Sequence, residues 1–132
     1  METYTQIKDI ASDQLFYIDG LASVRDAVKL MKEKKVNALI IQKRNQSDAN
    51  GIVTVSDIIH GVIVPGKTLD EVSVYEIMTK PVFAIPSHLN IRYVPRLMNN
   101  YNIRIAPIEE NGKYIGIIDY TKFLFNALDE SK

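Results

Sequence analysis

The sequence contains no cysteine, so disulfide bonds, thiol catalysis and cysteine-ligated metal centres are all excluded. Its two histidines, His60 and His88, lie far apart and neither has a second histidine at ligand spacing, so we predict no metal site. The phosphate-binding signatures GxGxxG and GxxxxGK(S/T) are also missing. No nucleophile is paired with a histidine in a recognisable motif, and we therefore predict no catalytic residues and no enzymatic activity.

The chain also lacks an excess of charge of either sign, because 16 basic residues balance 16 acidic ones. Its densest basic cluster, residues 29–35, is interrupted by Glu33 and fits a solvated helix face, so no nucleic-acid partner is predicted. The apolar runs are a few residues long, whereas roughly 20 are needed to cross a bilayer. The N-terminal METYTQIKDIASD does not resemble a signal peptide. We expect a cytoplasmic protein without membrane contact.

What the sequence does contain is an internal repeat. At an offset of 67 residues, IKDIASDQLFYI (residues 7–18) aligns with VYEIMTKPVFAI (residues 74–85), and the register continues through Arg25 with Arg92. After a loop of different length, an offset of 65 aligns Gly51-Ile52-Val53 with Gly116-Ile117-Ile118. A register held over this distance indicates two copies of one structural unit.

Each copy predicts an amphipathic turn, a strand, a helix, two further strands and a closing helix. The predicted strands are LFYI, NALIIQK and GIVTV in the first copy and VFAI, IRIAPIEE and KYIGIID in the second; the closing helices are SDIIHGVI and YTKFLFNAL. Ser23 is the predicted cap of the first long helix and Asn90 that of the second, whose start Pro95 should loosen. Asn111-Gly112 predicts a tight hairpin, and the longer polar KRNQSDAN is expected to be exposed and mobile.

The predicted fold class is therefore α+β, with tandem βαββα-type repeats packed sheet to sheet about a pseudo-twofold axis. We predict a first repeat over residues 1–64, a linker over 65–72 and a second repeat over 73–132. A unit of about 60 residues buries little apolar surface by itself, so the two copies are expected to bury their sheet faces together. Such packing would leave two related clefts for a ligand.

The motif that can carry binding chemistry is GIVTVSD, residues 51–57. It sets the hydroxyl of Thr54 and the carboxylate of Asp57 three residues apart at a predicted helix start, where an anion is favoured and a carboxylate can accept from a vicinal diol. The same residues also fit a plain helix cap. The second copy reads GIIDYTK, in which Asp119 replaces Thr54 and Lys122 replaces Asp57. That asymmetry favours one binding-competent site.

Taken together, the chain resembles a tandem pair of CBS (cystathionine β-synthase) domains, a Bateman module. The resemblance covers nearly the whole chain. It is carried by the paired openings IKDIAS and VYEIMT, the helices ending in Leu-Met, the glycine-led last strands, and GIVTVSDI, which matches the family signature G-h-h-T/S-x-x-D with h apolar.

The resemblance implies a regulatory module that binds AMP, ADP or ATP in a cleft between the repeats, with S-adenosylmethionine as a less favoured ligand. Asp57 would hold the ribose hydroxyls and Thr54 a phosphate, while the first strand and the start of the second would line the adenine pocket. The implied binding residues are Tyr17, Ile18, Asn37, Ala38, Thr54, Ser56, Asp57, Ile85, Arg104 and Ala106. Many family members carry an arginine where this chain has Ser56, which would weaken phosphate affinity.

The resemblance also implies a homodimer. With no output segment in the sequence, we expect such a sensor to act through a separate regulated protein or through its own assembly. An alternative is a structural dimerisation or protein-interaction module with vestigial pockets. His60 is read either as a phosphate contact or as an exposed helix residue, and Arg92, Arg96 and Arg104 either as anion contacts or as members of surface ion pairs.

Overall fold

The computed structural model describes residues 4–130 of the 132-residue chain. Its elements are a 3-10 turn (Ile7–Asp9), β1 (Tyr17–Ile18), α1 (Val24–Lys34), β2 (Ala38–Ile41), β3 (Gly51–Thr54), α2 (Val55–Ile58) with a π-helical continuation (Ile59–Ile63), a second 3-10 turn (Val74–Glu76), β4 (Ile85–Pro86), α3 (Val94–Asn100), β5 (Ile105–Glu110), β6 (Lys113–Asp119) and α4 (Tyr120–Glu130). This element order confirms the α+β class and the repeated unit.

The strands form two three-stranded sheets, β1-β2-β3 and β4-β5-β6. In each sheet the first strand runs parallel to the second, and the second runs antiparallel to the third. Ala38 pairs with Thr54 in one sheet, and Ile105 pairs with Asp119 in the other. These pairs are equivalent under the offsets read from the sequence, so the two copies share strand register as well as element order.

The helix starts agree with the sequence in the first repeat and differ in the second. The Ser23 hydroxyl accepts the Asp26 amide at 3.1 Å and caps α1 as predicted. Asn90 does not cap α3, because its side chain accepts the Arg92 amide of the preceding turn and the helix begins only at Val94. Pro95, in the first turn, has no amide to donate, which fits the later and shorter helix.

The two connections between antiparallel strands differ in length and exposure, as their sequences indicate. Asn111 and Gly112 have φ of 52° and 78°, as a tight two-residue hairpin turn requires. The longer connection is exposed over residues 42–47, but Asp48 is half-buried and anchored. The expectation of an exposed loop is therefore confirmed for its first part only.

The chain folds as two compact units that do not coincide with the sequence repeats. The first unit is Phe16–Val82, and the second combines residues 4–15 with residues 83–130. The opening turn of each repeat belongs to the unit built around the other repeat's strands. The Ile7 amide donates to the Leu89 carbonyl at 2.8 Å in the second unit, and the equivalent Val74 amide donates to Ala22 at 2.9 Å in the first.

Each unit has its own hydrophobic core between its sheet and its helices. The core of the first unit contains Val24, Ala27, Met31, Leu39, Ile41, Val53, Ile58, Val62, Val72 and Val74. That of the second contains Ile7, Ile85, Val94, Met98, Ala106, Ile108 and Ile118. The apolar side of α1 packs into the first of these cores, since Val24, Ala27 and Met31 are buried. Within residues 4–130, no helix is both long and apolar enough to cross a membrane.

An ion pair anchors the loop between β2 and β3. The Asp48 carboxylate accepts from Lys80 Nζ at 2.6 Å and from the Arg44 amide at 2.9 Å, and its side chain is 13% exposed. The hydrogen bond from Lys80, with a smaller contribution from the Arg44 amide, holds the pKa of Asp48 well below its usual range. A depressed pKa means that the folded state binds fewer protons than the unfolded chain.

We predict that Asp48 stabilises the first unit in a pH-dependent manner. Its contribution is complete above the ordinary aspartate pKa of about 3.9 and is lost as the pH falls toward the lower folded pKa. In urea unfolding, the advantage of the unaltered protein over Asp48→Asn should be constant from about pH 5 to 8 and shrink below about pH 4. Lys80→Met should lower stability as well, and the double variant should lose little more than either single one. A stability difference independent of pH would contradict this assignment.

Candidate functional site

Thr54 and Asp57 form a reciprocal capping box at the start of α2. The Thr54 hydroxyl accepts the Asp57 amide at 3.1 Å, and the Thr54 amide donates to Asp57 Oδ2 at 2.8 Å. The capping interpretation of this motif is therefore confirmed. Both side chains keep hydrogen-bonding capacity beyond the cap. Among residues 4–130 nothing donates to Asp57 Oδ1, and the Thr54 hydroxyl still has its own proton to donate.

The strand register places further predicted residues beside this cap. Ala38 lies directly opposite Thr54, and the Asn37 carbonyl accepts the Val55 amide at 3.0 Å. Tyr17 pairs with Ile40, two residues along β2 from Ala38, and side chains alternate along a strand. Tyr17, Ala38 and Thr54 therefore project from one face of the sheet, which we call the Thr54 face. Burial raises the pKa of the Tyr17 phenol.

Ile18 was predicted at the site, but its side chain projects from the opposite face. It pairs with Ile41 in register and packs against the core of the first unit. Strand alternation alone separates it from Tyr17, its immediate neighbour. The sequence could not make this choice, because both residues belong to a short apolar strand without a polar-apolar alternation.

The three predicted residues after residue 82 lie in the second unit. Ile85 and Ala106 belong to its hydrophobic core, whereas Arg104 is exposed directly before β5. The position equivalent to Ala38 is Ile105, which pairs with Asp119. Ile105 therefore lies on the equivalent sheet face, as the offset of 67 residues from Ala38 indicates.

The second repeat keeps the cap and changes its chemistry. Asp119 accepts the Lys122 amide at 3.2 Å, so a carboxylate takes the role of the Thr54 hydroxyl. Lys122 occupies the position of Asp57 and is half-buried. Within the described chain its ammonium forms no ion pair with Asp119. The second unit thus has no carboxylate at the position where the first unit has Asp57.

Ser56, in α2, and His60, in its π-helical continuation, lie about one turn apart and are both exposed. His60 Nδ1 is 2.8 Å from the Ser56 carbonyl oxygen and 3.3 Å from its hydroxyl. Because a carbonyl oxygen only accepts, Nδ1 carries the proton in this contact and cannot serve as a base toward the hydroxyl. Both residues are exposed, and over residues 4–130 no three His, Asp or Glu side chains form a group that could hold a metal ion.

Comparison with known proteins places these features in a family. The model of the CBS domain matches residues 7–63 and 74–128. A hexameric CBS-CP12 protein from bloom-forming cyanobacteria is 38% identical with a TM-score of 0.92, over 99% of this chain and 74% of that one. The CBS domain-containing protein CBSCBSPB1 of Arabidopsis thaliana is 27% identical over 92% of this chain, which spans only 22% of that relative's length.

A solved CBS domain pair with a bound ligand shares the fold. The pair of protein MJ0100, in complex with 5′-methylthioadenosine and S-adenosyl-L-methionine, has a TM-score of 0.78 and is 24% identical, over 93% of this chain and 99% of that one. Pairs of CBS domains are regulatory modules. With both family matches covering the two repeats, the chain belongs to the CBS domain family and carries one CBS domain pair.

Proposed function

We propose that this chain is a regulatory module that binds an adenosine-containing ligand, of the AMP, ADP and ATP class, at Thr54 and Asp57. The observation that carries the proposal is Asp57 Oδ1, which accepts no hydrogen bond from residues 4–130 while Oδ2 holds the cap. The cap fixes the carboxylate in one orientation. A ribose offers two adjacent hydroxyl donors, and an ionised carboxylate accepts such hydrogen bonds strongly.

The phosphate of a nucleotide would be held less tightly than its ribose. The Thr54 hydroxyl proton is directed at no residue of the described chain and can be donated to a phosphate oxygen. Ser56 offers no positive charge where many CBS domains have an arginine. The adenosine part would therefore supply most of the affinity, and the MJ0100 complex supports testing S-adenosylmethionine and 5′-methylthioadenosine beside the nucleotides.

One adenosine site per chain is the expected stoichiometry. The second repeat has Lys122 in place of Asp57 and so lacks the diol-binding carboxylate. An ammonium donates but does not accept, so it cannot replace a carboxylate toward ribose hydroxyls. The role of Arg104 toward a ligand stays a prediction, as do the roles of Tyr17, Asn37 and Ala38.

A thermal-shift panel of AMP, ADP, ATP, S-adenosylmethionine and 5′-methylthioadenosine tests the proposal. A ligand that binds only the folded state stabilises it by about 2.7 kcal/mol at a hundredfold excess over its Kd. At least one member should raise the Tm, and calorimetric titration should give one site per chain. No Tm change with any of the five would reject the proposal and favour the alternative of a structural module with vestigial pockets.

We also propose that the module self-associates through its closing helices. Equivalent positions of the two repeats expose apolar side chains at intervals of one helical turn: Val55, Ile59 and Ile63 in the first and Tyr120, Leu124 and Leu128 in the second. The repeats differ at the positions of Thr54 and Asp57, yet both have apolar residues at these exposed positions. Exposed apolar side chains in a row are typical of interaction surfaces. The hexameric cyanobacterial relative supports assembly of copies.

Replacing Leu124, which is 69% exposed, by glutamate should shift the protein toward the monomer in sedimentation velocity. A charge placed in an apolar interface loses hydration without gaining a partner, so association should weaken at least tenfold. Ile59→Glu, at the equivalent position, should act in the same direction. Thr121→Glu adds the same charge beside the row and serves as the control. An unaltered protein that sediments as a monomer at all concentrations would reject self-association.

A further inference from the structure

The exposed side of α3 differs in chemistry from the equivalent side of α1. We call it the α3 face and define it by its residues Arg92, Tyr93, Arg96, Asn99 and Asn100. Arg92 and Tyr93 lie in the turn that leads into α3, and Arg96, Asn99 and Asn100 lie on α3 itself, whose Val94 and Met98 are buried. All five are exposed. The face carries two positive charges and no carboxylate.

The equivalent face of α1 is balanced in charge. Its residues, at an offset of 67, are Arg25, Asp26, Lys29, Lys32 and Glu33. Arg25 also pairs with Asp70 at 2.7 Å, so three cations are matched by three carboxylates. In the α3 face, tyrosine replaces Asp26 and asparagine replaces Glu33. Arg92 and Arg96 form no ion pair with residues 4–130, so their guanidinium groups are available.

We propose that the α3 face is a docking surface for an acidic segment of a partner protein. Each guanidinium can hold a carboxylate through two parallel hydrogen bonds, and Arg92 and Arg96 are only four residues apart in the chain. Tyr93, 58% exposed, adds a rigid apolar ring with a polar end beside them. Tyrosine and arginine are the residue types that dominate binding energy at protein interfaces.

The chemistry selects a protein segment over a nucleic acid. A partner segment with carboxylates close together in its sequence is complementary in charge to Arg92 and Arg96. Nucleic-acid binding relies on about 6–10 phosphate contacts along a concentrated positive surface. The α3 face offers two charges, on a chain whose net charge is zero. The α3 face belongs to the second unit, whereas Thr54 and Asp57 belong to the first. It would supply the contact through which a regulatory module acts on another protein.

Fluorescence anisotropy with the full chain tests the proposal. The probe is a fluorescein-labelled peptide of repeated Glu-Ala-Ala-Ala units, which sets carboxylates one helical turn apart. The unaltered protein should bind it in a salt-sensitive manner, and Arg92→Ala/Arg96→Ala should raise the Kd about fivefold or more, since exposed ion pairs contribute up to about 1 kcal/mol each. Tyr93→Ala should weaken binding further.

The first repeat provides a matched control. Lys29→Ala/Lys32→Ala removes the same charge from the equivalent face of α1 and should change the Kd less than twofold. If both double variants lose the same affinity for the peptide, net charge and not the α3 face determines binding, and the proposal is overturned. Absence of peptide binding would also overturn it, as would tighter binding of labelled oligo-thymidine that is lost in Arg92→Ala/Arg96→Ala. Circular dichroism checks that each variant is folded.

Discussion

Replacing Asp57 by alanine should weaken binding of the adenosine ligand about tenfold to a hundredfold. Hydrogen bonds to a charged group contribute about 1.5–3 kcal/mol, and 1.4 kcal/mol corresponds to a factor of ten in Kd. The substitution also removes the bond from the Thr54 amide to Asp57 Oδ2, so the fold should lose about 0.5–2 kcal/mol. Titration calorimetry and urea unfolding measure the two effects separately.

Two further variants separate the ligand contact from the cap. In Asp57→Asn the amide oxygen can still accept the Thr54 amide, so stability should be largely kept while the loss of charge weakens binding. Glu76 makes the same kind of capping bond, from the Ser73 amide at 2.7 Å, in the same unit. Glu76→Ala should lower stability as Asp57→Ala does and leave the Kd unchanged. If all three variants bind alike, Asp57 serves as a cap only.

Replacing Gly116 by alanine should destabilise the protein by about 2–4 kcal/mol. An added Cβ would lie 2.7 Å from the Ser12 carbonyl oxygen. Ser12 and Ile117 exchange two backbone hydrogen bonds, both of 2.8 Å. The Ser12 carbonyl accepts one of them, so it cannot move without weakening that bond. Overpacking typically costs about 1–3 kcal/mol, and each backbone hydrogen bond contributes about 0.5–1.5 kcal/mol. Urea unfolding measures the loss.

Gly51 and Gly20 complete a graded series for this measurement. At Gly51, the equivalent position in the first unit, the Cβ would lie 3.1 Å from both the Thr79 carbonyl and the Met78 sulfur, so a smaller shift suffices and a smaller loss is expected. At Gly20 the nearest atom is 3.4 Å away, an ordinary contact. Gly20→Ala should therefore be neutral, or stabilising by up to about 1 kcal/mol through the unfolded chain. Equal losses at Gly116 and Gly20 would contradict the steric argument.

Much of the local structure follows from the sequence. The register between the copies predicts equivalent strand pairs, and the structure has them at Thr54 and Asp119. The turn at Asn111-Gly112 is predictable because both residues tolerate positive φ. Asn90 shows the limit of such reasoning. A good capping residue precedes an apolar stripe there, but Pro95 removes an amide and the helix begins four residues later.

The candidate site was predictable in its chemistry but not in its full geometry. Thr54 and Asp57 were found because three-residue spacing at a strand-to-helix junction brings a hydroxyl and a carboxylate together whatever the rest of the fold does. Tyr17 and Ile18 could not be distinguished in the same way. The difference between them depends on the pairing of β1 with β2, which is a contact between residues distant in sequence.

The sequence by itself determined the two-copy architecture, the family and the asymmetry between Asp57 and Lys122, because each of these depends on residue identity at aligned positions. Only the tertiary structure decided that the opening turn of each repeat packs within the unit of the other. The two openings carry nearly equivalent apolar residues, so either would satisfy either sheet by composition. The choice is made by long-range backbone hydrogen bonds, such as those between Ser12 and Ile117 and between Thr79 and Ile52, which no local pattern encodes.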